Sequence, residues 1–285
     1  MSTPGKSDRS PEFASSSPPP PPMRPTVTPP QSQLVKALHQ RLDALATDKS
    51  RDFWERYMKG VIPFRGVPMA AIRKAVHAWW NDDGPAALMV PDRKALALVL
   101  FEGSFGEDKL AGTLALHELL LHDLTPHDLS SLAALFDRRL IADWNSCDWF
   151  CVKVLGNLVA RDLPARSTAH EIASWCHAQT LWQRRAANVA FVNLAKQGEA
   201  NFDGFTSLML DTCSRNLRCD ERFAQTGVGW LLRELAETET TRVLAFTEAH
   251  LSAMSREAVR SVTERMPKNV QTQVLAAHQR ASARS

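Results

Sequence analysis

Three short segments of the chain combine tryptophan with charged or small residues at helical spacing. Trp144 and Asp148 are four residues apart, so on a helix they share one face. A carboxylate on such a face can orient a water molecule or stabilise a positive charge. Trp182 and Arg185 are three apart, and Trp230 follows two nearby glycines. Taken alone, each segment is also explained by a packed tryptophan beside a solvated or helix-capping side chain. Where the segments lie in the fold must therefore decide between a functional site and ordinary packing.

Two other motifs resemble known sites but lack the necessary geometry. His117 and His122 flank a segment like the zinc-binding H-E-x-x-H motif, but they are five residues apart rather than four. On an α-helix, residues five apart point about 140° apart, so we expect no shared zinc ion. Gly227 and Gly229 form no dinucleotide loop, because no predicted strand precedes them and no third glycine follows. We therefore predict no metal site and no cofactor.

The composition favours helices to hold these residues. The 285 residues include 33 Leu and 37 Ala but only 4 Ile, a single Tyr and 12 Gly. Unbranched aliphatic residues favour helix, whereas β-branched and aromatic residues favour strand, so we predict an all-α fold. Lysine and arginine number 34 against 31 acidic residues. A nucleic-acid surface would therefore need these charges sorted onto one face.

Several features bear on the compartment. The longest apolar run, Ala95 to Phe101, is too short to cross a bilayer. The N-terminus lacks the apolar stretch of a secretory signal. Five cysteines without a CxxC pair argue against a disulfide framework and for a reducing compartment. We expect an intracellular protein, cytoplasmic (nucleoid-associated) or nuclear, and a monomer, since no extended exposed heptad pattern is present.

The chain divides by composition into a tail and a body. Ten of the 17 prolines fall at or before Pro30. Because proline blocks regular hydrogen bonding and this stretch has little to bury, we predict a disordered Pro/Ser-rich tail over residues 1–32. A ligand for SH3-type domains and a simple terminal extension both fit that tail. We predict a HEAT-like α-helical repeat domain over residues 33–270 and a C-terminal extension over 271–285.

Apolar residues in the body recur at intervals of three and four, which is typical of helices joined by short loops. Antiparallel pairs recurring about every 40 residues favour an α-solenoid, and a compact helical bundle is the alternative. The predicted helices are 33–45, 53–60, 72–80, 92–101, 106–121, 128–140, 143–160, 167–178, 181–196, 205–216, 221–237, 240–250 and 255–265.

Five ordered segments between about Phe53 and Pro267 follow the pattern of one known family. They are Tyr57-Met58-Lys59 with Pro63-Phe64-Arg65-Gly66-Val67; Trp144-x-x-x-Asp148 with Leu155-Gly156-Asn157; Trp182-Gln183-Arg184-Arg185-Ala186; Gly229-Trp230-Leu231-Leu232-Arg233-Glu234; and Ser255-Arg256-Glu257-Ala258. In these segments the sequence resembles the DNA alkylation repair glycosylases of the AlkD type, which are built from HEAT-like repeats. Met69 to Lys74 and Ala186 to Asn188 depart from the family's pattern, which leaves the substrate range open.

The resemblance implies an α-solenoid of HEAT-like antiparallel helix pairs with a concave DNA-binding groove. It also implies hydrolysis of the N-glycosidic bond to a purine alkylated at N3 or N7. Trp144, Asp148 and Arg185 would be the catalytic residues. Asp148 would stabilise the oxocarbenium-like sugar and position a water molecule, and Arg185 would hold a backbone phosphate.

The same resemblance implies which residues contact DNA. Tyr57, Trp230 and Arg184 would bind the DNA or the lesion, and the partner would be double-stranded DNA containing alkylated purines. No lysine is placed as a Schiff-base nucleophile, so we expect a monofunctional enzyme without lyase activity.

Neighbouring residues have simpler explanations. We expect Trp182 in the core, and Trp149 and Phe150 packed between helices. Cys147 and Cys151, four apart, are expected to be small buried apolar residues.

A non-catalytic HEAT-like module that binds DNA or another protein is the main alternative, because a fold does not fix a function. The trio Trp144, Asp148 and Arg185 favours the enzyme. An unpaired carboxylate in a phosphate-facing groove would weaken binding, so it is useful only if it takes part in a reaction. A scaffold that uses the Pro-rich tail is a third possibility.

Overall fold

The structure, a computed structural model, describes residues 29–283. The predicted tail up to residue 28 lies outside them, and residues 29–32 begin the first helix. Every regular element within this range is helical, which confirms the all-α prediction. The α-helices are α1 (Pro29–Ala44), α2 (Asp48–Met58), α3 (Met69–Asp82), α4 (Val90–Val99), α5 (Gly106–Leu114), α6 (Leu129–Asp137), α7 (Trp144–Phe150), α8 (Gly156–Arg161), α9 (Ser167–Ser174), α10 (Leu181–Val189), α11 (Val192–Ala195), α12 (Phe205–Asn216), α13 (Arg222–His250), α14 (Arg256–Thr263) and α15 (Lys268–Ser282).

Two π-helical segments interrupt the regular helices. Ala115–Leu119 follows α5 directly, and Cys151–Leu155 joins α7 to α8. A π turn closes its hydrogen bond over five residues instead of four, so it rotates the following side chains relative to an α-helix. The continuous helices predicted over 106–121 and 143–160 therefore both contain a change of geometry that the apolar spacing did not indicate.

Side-chain caps fix where several helices begin. Thr47 accepts a hydrogen bond from the amide of Ser50, and Ser255 accepts one from the amide of Ala258. Each bond satisfies an amide that has no partner within its own helix. The two capped helices, α2 and α14, overlap the first and the last of the five segments that resemble the family.

One row of helices runs along the molecule. In this row, α3 contacts α5, α5 contacts α7, α7 contacts α10, and α10 contacts α13. The other helix of each pair lies behind the row, and there α1 contacts α4 and α9 contacts α12. The chain is thus an all-α helical repeat, in which side chains about 40 residues apart in sequence meet on neighbouring helices.

Leucine, alanine and aromatic residues fill a continuous core along this row. Trp79, Phe101, Phe136 and Phe150 are fully buried. Among residues 29–283, no helix is both long enough and apolar enough to cross a membrane.

The C-terminal boundary differs from the expected one. Residue 270, where we expected the repeat domain to end, falls inside α15, which packs on α14. Val274 is buried, and the imidazole of His278 bonds to the carbonyl oxygen of Met254 at 2.8 Å. The weak apolar spacing of α15 gave little sign of this contact. The two helices predicted over 221–237 and 240–250 are both present within α13, and non-helical backbone angles at Glu239 separate them where the prediction placed the break.

Candidate active site

A cleft of about 290 Å³ opens beside the N-terminal turn of α7. That turn is fixed by Asp143, whose carboxylate accepts a hydrogen bond from the amide of Ser146 at 2.8 Å. Trp144 and Asp148 therefore lie one helical turn apart and both face the cleft. The lining residues come from α2, α7, the second π segment and α13: Tyr57, Trp144, Asn145, Asp148, Trp149, Val152, Lys153 and Trp230.

Asp148 is held by a two-pronged ion pair. The Nε atom of Arg185 donates to Oδ1 of Asp148 at 2.7 Å, and Nη2 donates to Oδ2 at 2.9 Å. The Nη1 atom of Arg185 donates to the carbonyl oxygen of Phe223 at 2.7 Å and to the hydroxyl of Thr226 at 3.0 Å. Side-chain exposure is 6% for Arg185 and 17% for Asp148. The carboxylate is thus oriented from behind while part of it faces the cleft.

This arrangement corrects two sequence-based expectations. Arg185 was expected to hold a phosphate, but its guanidinium is buried and all three nitrogens already donate hydrogen bonds within the protein. Asp148 was expected to be unpaired, but it is one half of a buried ion pair. Sequence reasoning missed the pair because the two residues are 37 positions apart on different helices.

Burial has the largest effect on the Asp148 carboxyl and raises its pKa above the ordinary value. The hydrogen bonds and charge of Arg185 oppose this rise without cancelling it, and the nearby Asp143 carboxylate adds to it. Burial also opposes the charge of Arg185, but the hydrogen bonds and charge of Asp148 outweigh burial and raise the pKa of the guanidinium. Arg185 therefore stays charged, whereas Asp148 takes up a proton more readily than an exposed aspartate.

Aromatic rings make up most of the cleft wall. The rings of Tyr57 and Trp144 meet edge to face with centroids 5.0 Å apart. Tyr57 also stacks on Phe53 at 5.7 Å, and these two rings remain 47% and 53% exposed. Trp230 faces the same cleft from α13. Exposed aromatic faces attract cations and stack on flat bases, so the cleft suits a planar, positively charged group.

The glycine before Trp230 has a packing role. A Cβ atom on Gly229 would lie 2.9 Å from the carbonyl oxygen of Ala258, so glycine allows α13 to approach α14 closely. That approach keeps Trp230 at the cleft, and it explains Gly229 without a phosphate-binding loop.

Gly156 and Asn157 support the π segment that follows Asp148. A Cβ atom on Gly156 would lie 2.6 Å from the carbonyl oxygen of Ala190, so glycine is needed where α8 meets the end of α10. The side-chain amide of Asn157 donates to the carbonyl oxygen of Lys153 at 2.8 Å, and it also reaches that of Val152 at 3.4 Å. Asn157 thereby supplies hydrogen-bond donors to carbonyl oxygens in the wide π turn. The Leu-Gly-Asn segment was thus a sequence signal for this turn, although its physical reason is visible only in the structure.

Other residues singled out from the sequence have different surroundings. Arg184 donates from Nη1 to the carbonyl oxygens of Ala178 at 3.0 Å and Gln179 at 2.9 Å, and its Nη2 pairs with Glu221. It does not line the cleft. Trp182 packs against Phe223 with ring centroids 5.0 Å apart.

Three neighbours of Asp148 are buried as expected, namely Phe150, Cys147 and Cys151. The sulfur atoms of the two cysteines are 3.9 Å apart. Trp149 packs against the core as expected, and it also lines the cleft. Asn145, Val152 and Lys153 are further lining residues that sequence reasoning missed.

Two other cavities lack the combination of an oriented carboxylate and aromatic walls. One, of about 560 Å³, adjoins the cleft and shares Tyr57, Asn145 and Trp149 with it, but no carboxylate of the described residues lines it. The other, of about 470 Å³, lies between α4 and α6 and is lined by Asp128, whose side chain is 22% exposed and pairs with Lys94 at 2.8 Å. No aromatic ring of the described residues lines that cavity. Chemistry therefore favours the smaller cleft.

The segment that resembles a zinc motif is part of the first π segment. Its Glu118 carboxylate accepts hydrogen bonds from Arg73 at 2.8 Å and bonds with His77 at 2.7 Å. Among the residues whose side chains are described, no group of three or more His, Cys, Asp or Glu is arranged to hold a metal ion.

Comparison with known proteins shows which family the chain resembles. The model for the DNA alkylation repair enzyme family matches residues 38–266. A solved structure described as a predicted DNA alkylation repair enzyme from Enterococcus faecalis superposes with a TM-score of 0.64, over 78% of this chain and 97% of that chain. Sequence identity between the two is 17%, so this match concerns the fold. A search of curated proteins finds no match.

Proposed function

The chain belongs to the family of DNA alkylation repair enzymes, and from that premise we propose that it is a monofunctional DNA glycosylase for cationic alkylpurines. Its substrate would be double-stranded DNA containing a purine alkylated at N3 or N7. The observation that carries the proposal is the partly exposed Asp148 carboxylate, oriented by Arg185 on the wall of a cleft lined by Trp144 and Trp230.

The reaction needs little beyond these groups. Alkylation at N3 or N7 gives the purine a positive charge, so the base can leave without a general acid. The electrons of the glycosidic bond go to the base, and positive charge develops on the sugar. Asp148 stabilises that charge and orients the water molecule that adds to C1′ and then loses a proton.

Arg185 acts in this proposal as a positioning residue. Its two hydrogen bonds to Asp148 fix both carboxylate oxygens, and its bonds to Phe223 and Thr226 fix the guanidinium itself. An electrostatic group that is already oriented needs no reorganisation when charge develops. Its positive charge also favours the ionised form of Asp148 against the effect of burial.

The aromatic residues would hold the lesion. Trp144 and Trp230 offer ring faces to a cationic base or its sugar, with an attraction of roughly 1–2 kcal/mol. Tyr57 would contact the DNA from α2. The resemblance implies recognition with the damaged base left in the stack. The protein would act as a monomer in the compartment that holds the genome.

A non-catalytic DNA-binding module is the second candidate, and the ion pair itself favours it. A paired carboxylate repels phosphates less than a free one, so its presence no longer requires a reaction. A buried Asp–Arg pair that spans two helices also occurs as a structural element.

Base release from methylated duplex DNA distinguishes the two candidates. We expect the wild-type protein to release 3-methyladenine or 7-methylguanine, detected by chromatography, and Asp148→Asn to reduce the rate by roughly 10²–10³-fold. Asn keeps the shape of the side chain, so binding to the same duplex should persist. Equal release by both proteins would contradict the role of Asp148. Binding without release by either would favour the non-catalytic module.

A further inference from the structure

Lys153 is the one lysine among the residues lining the cleft. It is half-buried, and its Nζ atom lies 5.9 Å from the centroid of the Trp149 ring. Among residues 31–283, no carboxylate lies within 4 Å of this ammonium group. The nearest candidate in the cleft, Asp148, directs both oxygens to Arg185. Lys153 therefore brings a positive charge into the cleft that no acidic side chain among residues 31–283 neutralises.

The π segment brings Lys153 to this position. On a regular α-helix, five residues rotate by about 500°, which would place Lys153 about 140° away from Asp148. The wider turn of Cys151–Leu155, closed by a bond from the amide of Gly156 to the carbonyl oxygen of Cys151, reduces that angle. Both side chains consequently line one cleft. Asn157 and the Gly156–Ala190 contact hold this geometry in place.

The first π segment offers Lys153 no unpaired acidic partner. The two π segments contact each other. Burial is the main cause that lowers the pKa of His117, and the charge of Lys153 contributes. Glu118, the acidic residue of the first segment, already bonds to Arg73 and His77. The positive charge of Lys153 therefore remains on this side of the cleft and favours an anion.

We propose that Lys153 binds a phosphate of the DNA strand that carries the damaged base, on the side of the cleft formed by the second π segment. The proposal rests on the proposed function and assigns to Lys153 the contact first expected from Arg185. A lysine ammonium repels a cationic alkylpurine, so Lys153 must face the backbone rather than the base. It would fix the position of the strand while Asp148 acts at the sugar.

The salt dependence of DNA binding tests this assignment without requiring base release. The probe is a duplex with a tetrahydrofuran abasic-site analogue, and its dissociation constant is measured by fluorescence anisotropy over a series of salt concentrations. We expect Lys153→Gln to weaken binding several-fold and to reduce the slope of log K against log salt by about 0.9, the value for one lost phosphate contact. Lys153→Arg should retain the slope. Lys36→Gln, which changes an exposed lysine of α1, should leave the slope at the wild-type value.

The outcomes test the phosphate contact of Lys153 separately from the proposed glycosylase activity. An unchanged slope for Lys153→Gln would overturn the phosphate contact, whether or not the wild type releases bases. A changed slope in a protein that releases no base would support the contact while the glycosylase proposal fails. If borohydride traps a covalent complex with abasic DNA in the wild type but not in Lys153→Gln, the amine is a nucleophile and the phosphate assignment is wrong. Thermal unfolding of each variant, followed by circular dichroism, checks that the fold is retained.

Discussion

Two aspartate–arginine pairs link neighbouring parts of the repeat, and they differ in how completely the carboxylate is enclosed. Near the N-terminal end, Asp108 of α5 accepts hydrogen bonds from Arg65, in the loop before α3, at 2.7 Å and from the amide of Phe105 at 3.0 Å. Its Oδ1 atom also lies 3.2 Å from Nε2 of His39. Its side chain is 1% exposed. Near the middle, Asp148 has Arg185 as its hydrogen-bond partner and stays 17% exposed at the cleft.

The pKa directions of the two carboxyls reflect this difference. Burial raises the pKa of Asp108, but hydrogen bonds and charge from His39, Arg65 and the Phe105 amide outweigh it and hold the pKa below the ordinary value. For Asp148, burial is the larger effect and the pKa is raised. The folded protein therefore stabilises the charge of Asp108 and leaves that of Asp148 less fully compensated.

The comparison indicates how a structural pair differs from a reactive one in the same architecture. A carboxylate enclosed by partners holds helices together and has no capacity left for a substrate. A carboxylate fixed from one side and open on the other is oriented, yet can still respond to a positive charge in the cleft. Four predictions test this distinction, beginning with the largest expected effect.

Asp108→Asn should lower the free energy of unfolding by about 3 kcal/mol, because the folded protein stabilises the charge of Asp108 and an asparagine amide would turn an N–H towards Arg65 or the Phe105 amide. Arg65 would keep Asp43, which is largely exposed, as an ion-pair partner. Urea denaturation measures this loss. The rate of base release per folded molecule should remain at the wild-type level. Asp137→Asn, at an exposed position of α6, is the matched control and should change stability by less than about 0.5 kcal/mol. If Asp108→Asn lost activity without losing stability, Asp108 would take part in the reaction, and the distinction between a structural and a reactive carboxylate would be wrong.

Arg185→Lys should reduce the single-turnover rate of base release roughly tenfold, or by about 1.4 kcal/mol in activation free energy. Lysine keeps the charge but cannot hold both oxygens of Asp148 in a planar fork. The dissociation constant for duplex DNA and its salt slope should not change, because the guanidinium is buried. If the slope of log K against log salt fell by about one, Arg185 would instead contact a DNA phosphate.

Base release should decrease as the pH falls through the raised pKa of Asp148, since only the ionised carboxylate stabilises the sugar cation. The decrease should therefore begin at a higher pH than for an aspartate with the ordinary value of 3.8. The stabilising contribution of Asp108 is lost only as the pH falls through its lowered pKa, so the protein should still be folded when activity drops. The rate of base release and circular dichroism, measured across the same pH series, check both statements. Residual activity of Asp148→Asn should lack this acidic decrease.

Asp148→Asn should change the free energy of unfolding by no more than about 1 kcal/mol. The raised pKa means that the folded protein favours the neutral form of this side chain more than the unfolded chain does. The buried Arg185 loses its charged partner, but the asparagine oxygen can still accept one of its hydrogen bonds, and its bonds to Phe223 and Thr226 remain. Urea denaturation beside Asp108→Asn gives the comparison directly. Should Asp148→Asn be the more destabilising of the two, the pair with Arg185 would have mainly a structural role.

Much of the helical architecture was predictable, because apolar residues repeat every three or four positions along each helix. Leu38 and Leu42 were assigned to one apolar stripe and are fully buried. Leu45 belonged to the same stripe but lies beyond the end of α1 and is 41% exposed. α15 was missed since it buries few side chains, such as Val274 and His278.

The sequence by itself determined which residues share a helix face. The spacing of Trp144 and Asp148 is a local property, and the Asp143 cap that fixes their turn is three residues from its partner. The tertiary structure decided what those faces meet. Arg185 reaches Asp148 from a helix 37 residues away, and Lys153 enters the cleft through a π turn. Such contacts depend on how helices dock and on where the backbone forms a π turn, and the local spacing of apolar residues indicates neither.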